Sequence, residues 1–124
     1  MTETQERVLI ALSRLFLDTD VSTYHGYISD TCASSKYSLD ELSDMLYQDV
    51  APVCMPSLFL INGGLAKIDK EQLIKKIQQH KNKEQTDFMK LIKPQWGLIA
   101  RIYIGKDWRK IKNLVCEKRN PTTN

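Results

Sequence analysis

Apolar residues recur three and four positions apart along most of the chain, which is the spacing of one face of an α-helix. The clearest stripe lies near the N-terminus and consists of Val8, Leu9, Leu12, Leu15 and Phe16. It predicts a first helix from about Thr4 to Leu17, with a threonine hydroxyl as its N-cap. A weaker stripe predicts a second helix between about Ser22 and Ser34.

The strongest helix-start signal is the sequence Ser38-Leu39-Asp40-Glu41, which has the spacing of a capping box. The apolar stripe that follows predicts which side chains of this third helix face inward: Leu39, Leu42, Met45, Leu46 and Val50. Because proline disrupts a helix interior, Pro52 and Pro56 predict that residues 53–61 form a separate, short, buried helical segment.

The second half of the chain gives less regular signals. Asp69 is expected to cap a fourth helix that runs through about His80, and Thr86 is expected to start another before Pro94. Residues 98–104 are ambiguous, because their β-branched content is typical of a strand while the spacing of their large side chains suits a helix. We favour a helix, since a lone strand would leave its backbone polar groups unpaired.

Asp107 is expected to cap a last helix that ends near Lys118. Together the elements predict an all-α fold: a compact single-domain bundle of about five to seven helices over residues 1–119, with a flexible tail at 120–124. A chain of 124 residues is long enough to bury one core without staples. The expected core residues are Leu12, Leu15, Phe16, Leu42, Leu46, Ile77, Trp96 and Trp108.

The composition is that of an ordinary globular protein, with 42% hydrophobic and 27% charged residues. No apolar stretch approaches the roughly 20 residues that a membrane span needs. The N-terminus lacks the basic start and apolar run of a signal peptide, so we expect a cytoplasmic protein. The three cysteines are odd in number and widely spaced, so we expect buried free thiols at Cys32, Cys54 and Cys116.

Candidate catalytic and metal-binding motifs fail on spacing. His25 and His80 lie far apart, and no cysteine stands at a zinc-like distance from either. Asp18 and Asp20 have the spacing of the first two ligands of a calcium-binding EF-hand loop, but the glycine and the closing glutamate of that loop are missing. A nucleophile–base pair of Cys32 with His25 is left open, although a buried thiol is the plainer interpretation. We therefore predict that the protein is not an enzyme and has neither a cofactor nor a metal.

Charge is distributed unevenly along the chain. Residues 1–60 carry a net charge of −6 and residues 61–124 a net charge of +9. Acidic residues and tyrosines of the first half give a candidate surface for binding a basic partner, because tyrosine is enriched in binding hot spots. The plain alternative is a solvated helix face. The predicted partner-binding residues are Asp18, Asp20, Tyr24, Tyr27, Asp40, Glu41, Asp44, Tyr47 and Asp49.

The basic half offers a competing interpretation as a small nucleic-acid-binding or adaptor protein. Its lysines could follow a phosphate backbone: Lys70, Lys75, Lys76, Lys81, Lys83 and Lys90. The stretch has no aromatic residues interleaved at a spacing suited to base stacking, so direct nucleic-acid binding is the less favoured alternative.

Three stretches of the first 60 residues carry a resemblance: ALSRLFLDT at 11–19, YSLDEL at 37–42 and YQDVAPVCMPSL at 47–58. With these the chain resembles short bacterial immunity proteins encoded beside contact-dependent growth-inhibition toxins. The resemblance implies a one-to-one complex with a cognate toxin domain, commonly a nuclease acting on transfer RNA, and no catalytic residues. An acidic patch is compatible with such a role, because it can occupy a basic nucleic-acid groove.

Overall fold

The computed structural model describes residues 1–17, 20–58, 70–82 and 96–120, and within these ranges all regular structure is helical. The predicted all-α class is therefore confirmed, and the six α-helices within the described ranges agree with the predicted five to seven. A π-helix at Met45–Val50 joins α3 to α4, and 3₁₀ turns occupy Arg14–Phe16 and Val21–Tyr24. The α-helices are α1 Glu3–Ser13, α2 His25–Ser34, α3 Leu39–Asp44, α4 Ala51–Leu58, α5 Lys70–Asn82 and α6 Trp96–Arg119.

The first two helices begin at polar caps. The Thr2 hydroxyl accepts a hydrogen bond from the Gln5 amide (3.1 Å) at the start of α1. The Asp20 carboxylate accepts from the Ser22 amide (3.0 Å) and so starts the 3₁₀ turn that leads into α2. The apolar stripe predicted for the first helix lies fully inside the molecule, although its last turn is 3₁₀ rather than α-helical.

The helix that begins at the predicted capping box does not stop at the prolines. Both capping-box hydrogen bonds between Ser38 and Glu41 are present, at 3.0 and 3.1 Å. The chain then stays helical without a break from Leu39 to Leu58, so the prediction of a separate segment at 53–61 is wrong where the structure describes it. Residues 59–61 lie outside the described ranges.

The π-helix gives a physical reason for this continuity. The Ala51 amide donates to the Leu46 carbonyl, five residues back, so the turn before Pro52 is wider than an α-helical turn. A proline ring clashes with the carbonyl four residues before it in a regular helix, and a wider turn relieves that contact.

α6 is one continuous helix of 24 residues. The helical interpretation of residues 98–104 is confirmed, but the prediction that Asp107 caps a separate last helix is wrong. Asp107 lies in the middle of α6, and its carboxylate instead accepts from His25 Nε2 of α2 at 2.9 Å. The helix tolerates Gly105 because a glycine keeps its N–H and costs only about 1 kcal/mol relative to alanine.

α6 is held between two partners. Contacts in chain order join His25 of α2 to Asp107 and Asp30 to Lys118, so α2 runs in the same direction as α6. Near the end of α6, the Arg119 guanidinium donates to the carbonyls of Cys32, Ala33, Ser35 and Tyr37. These bonds satisfy carbonyls at the C-terminus of α2, where a cation also suits the helix dipole.

On its other side α6 packs against the stretch from Leu39 to Leu58 in the opposite direction. Trp108 Nε1 donates to Ser43 Oγ of α3 at 3.0 Å, and Arg101 lies over the Tyr47 ring, 4.5 Å from its centroid. Gly97 lies so close to the Tyr47 carbonyl that an added Cβ would be 3.0 Å from that oxygen.

One core joins these helices. Seven of the eight expected core residues are buried: Leu12, Leu15, Phe16, Leu42, Leu46, Ile77 and Trp108. The side chain of Trp96 lies outside the described part of the structure, as do Asp69, the segment predicted to begin at Thr86, and residues 121–124 of the predicted tail.

Candidate binding surfaces

The acidic surface of α3 keeps only part of the predicted site. Asp40 and Asp44 are exposed one helical turn apart and make no ion pair within the described residues. Glu41 is also exposed, but its carboxylate is bound to the Ser38 amide. Like charges at this spacing repel by a few tenths of a kcal/mol, so Asp40 and Asp44 contribute no stability to the helix as a pair.

The predicted residues before α3 are divided between capping and exposure. Asp20 is exposed, but its carboxylate caps the 3₁₀ turn, and this hydrogen bond to Ser22 lowers the pKa of Asp20. Tyr24 is half-buried and packs against the core. Tyr27 is 45% exposed on α2, which leaves it able to contact a partner. Asp18 lies outside the described residues.

Tyr47 is not the exposed anchor that the sequence predicted. Its side chain is only 7% exposed, because it lies under the Arg101 guanidinium and against the start of α6. Burial raises the pKa of its phenol, against the opposing charge of Arg101. Tyr47 lies within the π-helix, where the α-helical spacing assumed by the prediction does not hold.

Asp49 is also not an exposed member of the acidic surface. It lies within the π-helix, beside α5, with its side chain 18% exposed and its carboxylate 4.0 Å from Lys81 Nζ. Burial raises the pKa of this carboxyl, while the charge of Lys81 acts in the opposite direction. Asp49 is therefore a contact within the protein rather than part of an exposed acidic patch.

Exposed apolar side chains on α6 were not among the predicted binding residues. Large apolar side chains are exposed on the first half of this helix, with exposed fractions of 85% for Ile102, 62% for Leu98, 54% for Tyr103 and 38% for Ile99. Their positions follow i, i+1, i+4 and i+5, so they form two adjacent rows on one side of a helix. The sequence pattern of these residues indicates only a choice between helix and strand, because periodicity does not say which apolar face is buried.

Basic residues continue both rows. Ile99 and Tyr103 are followed at helical spacing by Lys106 and Lys110, and Leu98 and Ile102 by Gly105 and Arg109. Lys106, Arg109 and Lys110 are exposed and make no ion pair within the described residues. We call the side chains of these eight positions the outer surface of α6.

The structure does not assemble a nucleophile–base pair at Cys32. Burial raises the pKa of this thiol to about 12, which keeps it protonated. His25 lies two turns away on α2, about 10 Å along the helix axis, and its ring is bound to Asp107.

Cys54 is buried with a pKa also raised to about 12. The prediction of a buried thiol is wrong for Cys116, which is exposed on the outward side of α6.

The described residues contain no group of three or more potential metal ligands. None of the described helices combines the length and the apolar character that a membrane crossing would require.

A family model described as Domain of unknown function (DUF7079) matches residues 3–114. The match covers most of the chain, so the chain belongs to this family. The matched range includes both the acidic residues of α3 and the outer surface of α6 up to Lys110. Searches among curated proteins and among solved structures find no match.

Proposed function

We propose that the protein acts by binding a basic partner protein through the exposed acidic residues of α3. The observation that carries this proposal is the pair Asp40 and Asp44, exposed and without a cation among the described residues. The other acidic residues of this region have structural tasks, because Glu41 completes a capping box and Asp49 faces Lys81. Asp40 lies in the first turn of α3, where a carboxylate suits the helix dipole, but Asp44 lies beyond that turn and repels Asp40. A partner that supplies the opposite charge would relieve this repulsion.

The resemblance of the first 60 residues to bacterial immunity proteins suggests which kind of protein the partner is. We propose an immunity protein that binds a cognate toxin nuclease one-to-one in the cytoplasm of the producing cell. A nuclease that cleaves transfer RNA needs a basic groove for the phosphate backbone. Asp40 and Asp44 would occupy part of that groove as carboxylates in place of phosphates, and Tyr27 would add an aromatic contact. The protein then blocks the nuclease without a catalytic group of its own.

The alternative of nucleic-acid binding through the basic half keeps some physical support. Lys70, Lys75 and Lys76 are exposed on α5. Lysines around a helix bind phosphates only by charge, and α5 contains no Phe, Tyr or Trp side chain to stack on a base. We therefore treat it as the competing outcome of the test.

The first test is the genomic neighbourhood, since an immunity gene is expected immediately beside the gene for a large secreted toxin. The second is a titration of the purified toxin domain with Asp40→Lys/Asp44→Lys. Each lost charge pair in a desolvated contact costs about 1.5 kcal/mol or more, so the loss of two pairs should lower affinity by about a hundredfold or more. Association should slow most at low salt. Thermal melting should change little, because both side chains are exposed.

Lys75→Glu/Lys76→Glu is the matched control, with a charge change of equal size on another helix. It should leave toxin binding unchanged. If the α5 variant loses affinity for the toxin or for transfer RNA while the α3 variant keeps it, the acidic residues of α3 are the wrong surface and the basic half is the binding site.

A further inference from the structure

We propose that the outer surface of α6 docks into a groove of a partner protein that is apolar along two helical turns and ends in carboxylates. The surface consists of two adjacent rows, each of which begins with a pair of apolar residues and ends with a base. This inference is separate from the proposed function, because the partner surface it requires is anionic where the one for α3 is cationic.

The apolar half supplies the reason for docking. Ile102 and Leu98 form one row, and Tyr103 and Ile99 form the other, with Ile102 85% exposed. Single exposed apolar residues are common on proteins, but a contiguous group on one side of a helix marks a contact site. An aromatic residue among aliphatic neighbours is also the composition of an interface centre.

The basic residues of this surface indicate the chemistry of the partner. Lys106, Arg109 and Lys110 continue the two rows and have no ion-pair partner among the described residues. Lys106 and Arg109 lie four and seven positions after Ile102, which is about 6 and 10 Å along a helix axis. A partner that covers Ile102 therefore meets these bases roughly 6–10 Å farther on, and carboxylates at that distance complement them.

The arrangement of the two halves favours a protein groove over a lipid surface. A helix that lies in a membrane interface has its apolar and basic residues on opposite sides around its circumference. On α6 the apolar and basic residues follow one another along the axis on the same side. A groove that receives a helix can differ in chemistry from one end to the other, whereas a flat lipid surface cannot.

Gly105 adds a steric detail between the two halves. A Cβ at this position would meet no atom of the protein within 4 Å, so the close packing of this chain does not require a glycine there. The missing side chain leaves a gap between Ile102 and Arg109 in their row. A partner's side chain can enter this gap and approach the α6 backbone.

The test begins with a photoreactive amino acid placed at Ile102 in the producing cell, and at Gln78, exposed on α5, as the control. The expected product is a cross-link to one protein from position 102 only. Mapping of the cross-linked peptide should place it in a groove with aspartate or glutamate residues at one end. Cross-links to a second copy of this chain, to lipid, equally from both positions, or to nothing would each overturn the proposal.

The partner found in this way is then purified and titrated. Ile102→Asp should weaken binding at least tenfold, and Lys106→Glu/Arg109→Glu/Lys110→Glu at least tenfold at low salt, with a smaller loss at high salt. The matched control is Lys70→Glu/Lys75→Glu/Lys76→Glu, which changes the net charge equally and should bind like wild type. Unchanged affinity in both α6 variants, with melting curves like wild type, would overturn the proposal.

The two proposals can fail independently. If the α3 variant Asp40→Lys/Asp44→Lys no longer binds the toxin and position 102 gives no cross-link, the proposed function is supported and this inference is rejected. A cross-linked partner whose binding survives Asp40→Lys/Asp44→Lys would support this inference whatever the identity of the toxin.

Discussion

Two long helical stretches of this protein each contain residues that usually interrupt helices, and they respond differently. The stretch from Leu39 to Leu58 contains two prolines and changes from α-helix to π-helix and back. α6 contains Gly97 and Gly105 and remains a regular α-helix for 24 residues. Proline removes a hydrogen-bond donor and adds a steric clash, so the backbone must change its register. Glycine only lowers the helix propensity, which packing against two neighbouring helices can offset.

The two stretches also differ in how well the α-helical period describes their exposed side. In the first stretch Tyr47 packs against α6 and Asp49 lies beside Lys81, so neither belongs to the exposed acidic surface. In α6 the regular period keeps the buried and exposed sides separate, so the outer surface is a continuous pair of rows. The exposed side of α6 therefore follows the α-helical spacing, whereas the first stretch departs from that spacing in its π-helix.

The largest loss of stability is expected from a substitution of Trp108, at the contact between the two stretches. Its side chain is 2% exposed and donates from Nε1 to Ser43 of α3. Trp108→Ala should lower the free energy of unfolding by roughly 3–5 kcal/mol, because it removes a large buried side chain and leaves a cavity. Urea denaturation followed by far-ultraviolet circular dichroism measures this loss.

Two milder variants separate packing from hydrogen bonding at the same contact. Trp108→Phe keeps most of the apolar volume but leaves Ser43 without its donor, and Ser43→Ala removes only the acceptor. Both should cost less than Trp108→Ala, on the order of 1–3 kcal/mol. If Trp108→Ala costs no more than Ser43→Ala, the two stretches are not held together by this side chain.

Most of the fold could be predicted from the sequence because the signals for it are local. The capping box at Ser38 and Glu41 and the stripe of α1 depend on residues three or four positions apart. They gave the helical class, the starts of the early helices and most of the core. The choice of helix for residues 98–104 also held, since it used the need of the backbone for hydrogen bonds.

The candidate site could be predicted less well because it depends on contacts between distant residues. The pairing of His25 with Asp107 spans 82 positions and has no signal in the sequence. The π-helix has no signal in the α-helical spacing of the sequence, so the burial of Tyr47 could not be predicted from periodicity. The exposed side of α6 could not be predicted either, because periodicity does not say which apolar face is buried.

The same substitution at the two glycines of α6 is expected to have different effects on stability. Gly105→Ala should raise the free energy of unfolding by roughly 0.5–1 kcal/mol, because alanine favours the helix and the added Cβ meets open space. Gly97→Ala should give no gain or a loss, because its Cβ would lie 3.0 Å from the backbone oxygen of Tyr47 in the π-helix. Thermal and urea denaturation of both variants measure the difference.

Each glycine variant is the control for the other, since the substitution is the same and the helix is the same. Equal gains in the two variants would show that the π-helix can move away from α6 without cost. A loss at Gly105 would contradict the open space around it.

The smallest expected effect concerns Asp49 in the π-helix. Burial raises the pKa of this carboxyl above its ordinary value of 3.8, and the charges of Lys81 and His80 only partly oppose the shift. The folded state therefore holds the proton more tightly than the unfolded state. Stability contributed by this group is present below pH 3.8 and is lost as the pH rises through the raised pKa of the folded state.

Asp49→Asn tests whether ionisation of this carboxyl lowers the stability of the folded state, because an amide does not ionise. At pH 7 the variant should be more stable than wild type by about a few tenths of a kcal/mol, since the Lys81 contact that it loses is long and partly exposed. Below pH 3.8 the difference should disappear, because Asp49 is then protonated in both states. Urea denaturation of both proteins at pH 3 and pH 7 measures it, with the exposed Asp40→Asn as control. A variant less stable than wild type at pH 7 would show that attraction between the Asp49 carboxylate and Lys81 outweighs the cost of burying that carboxylate.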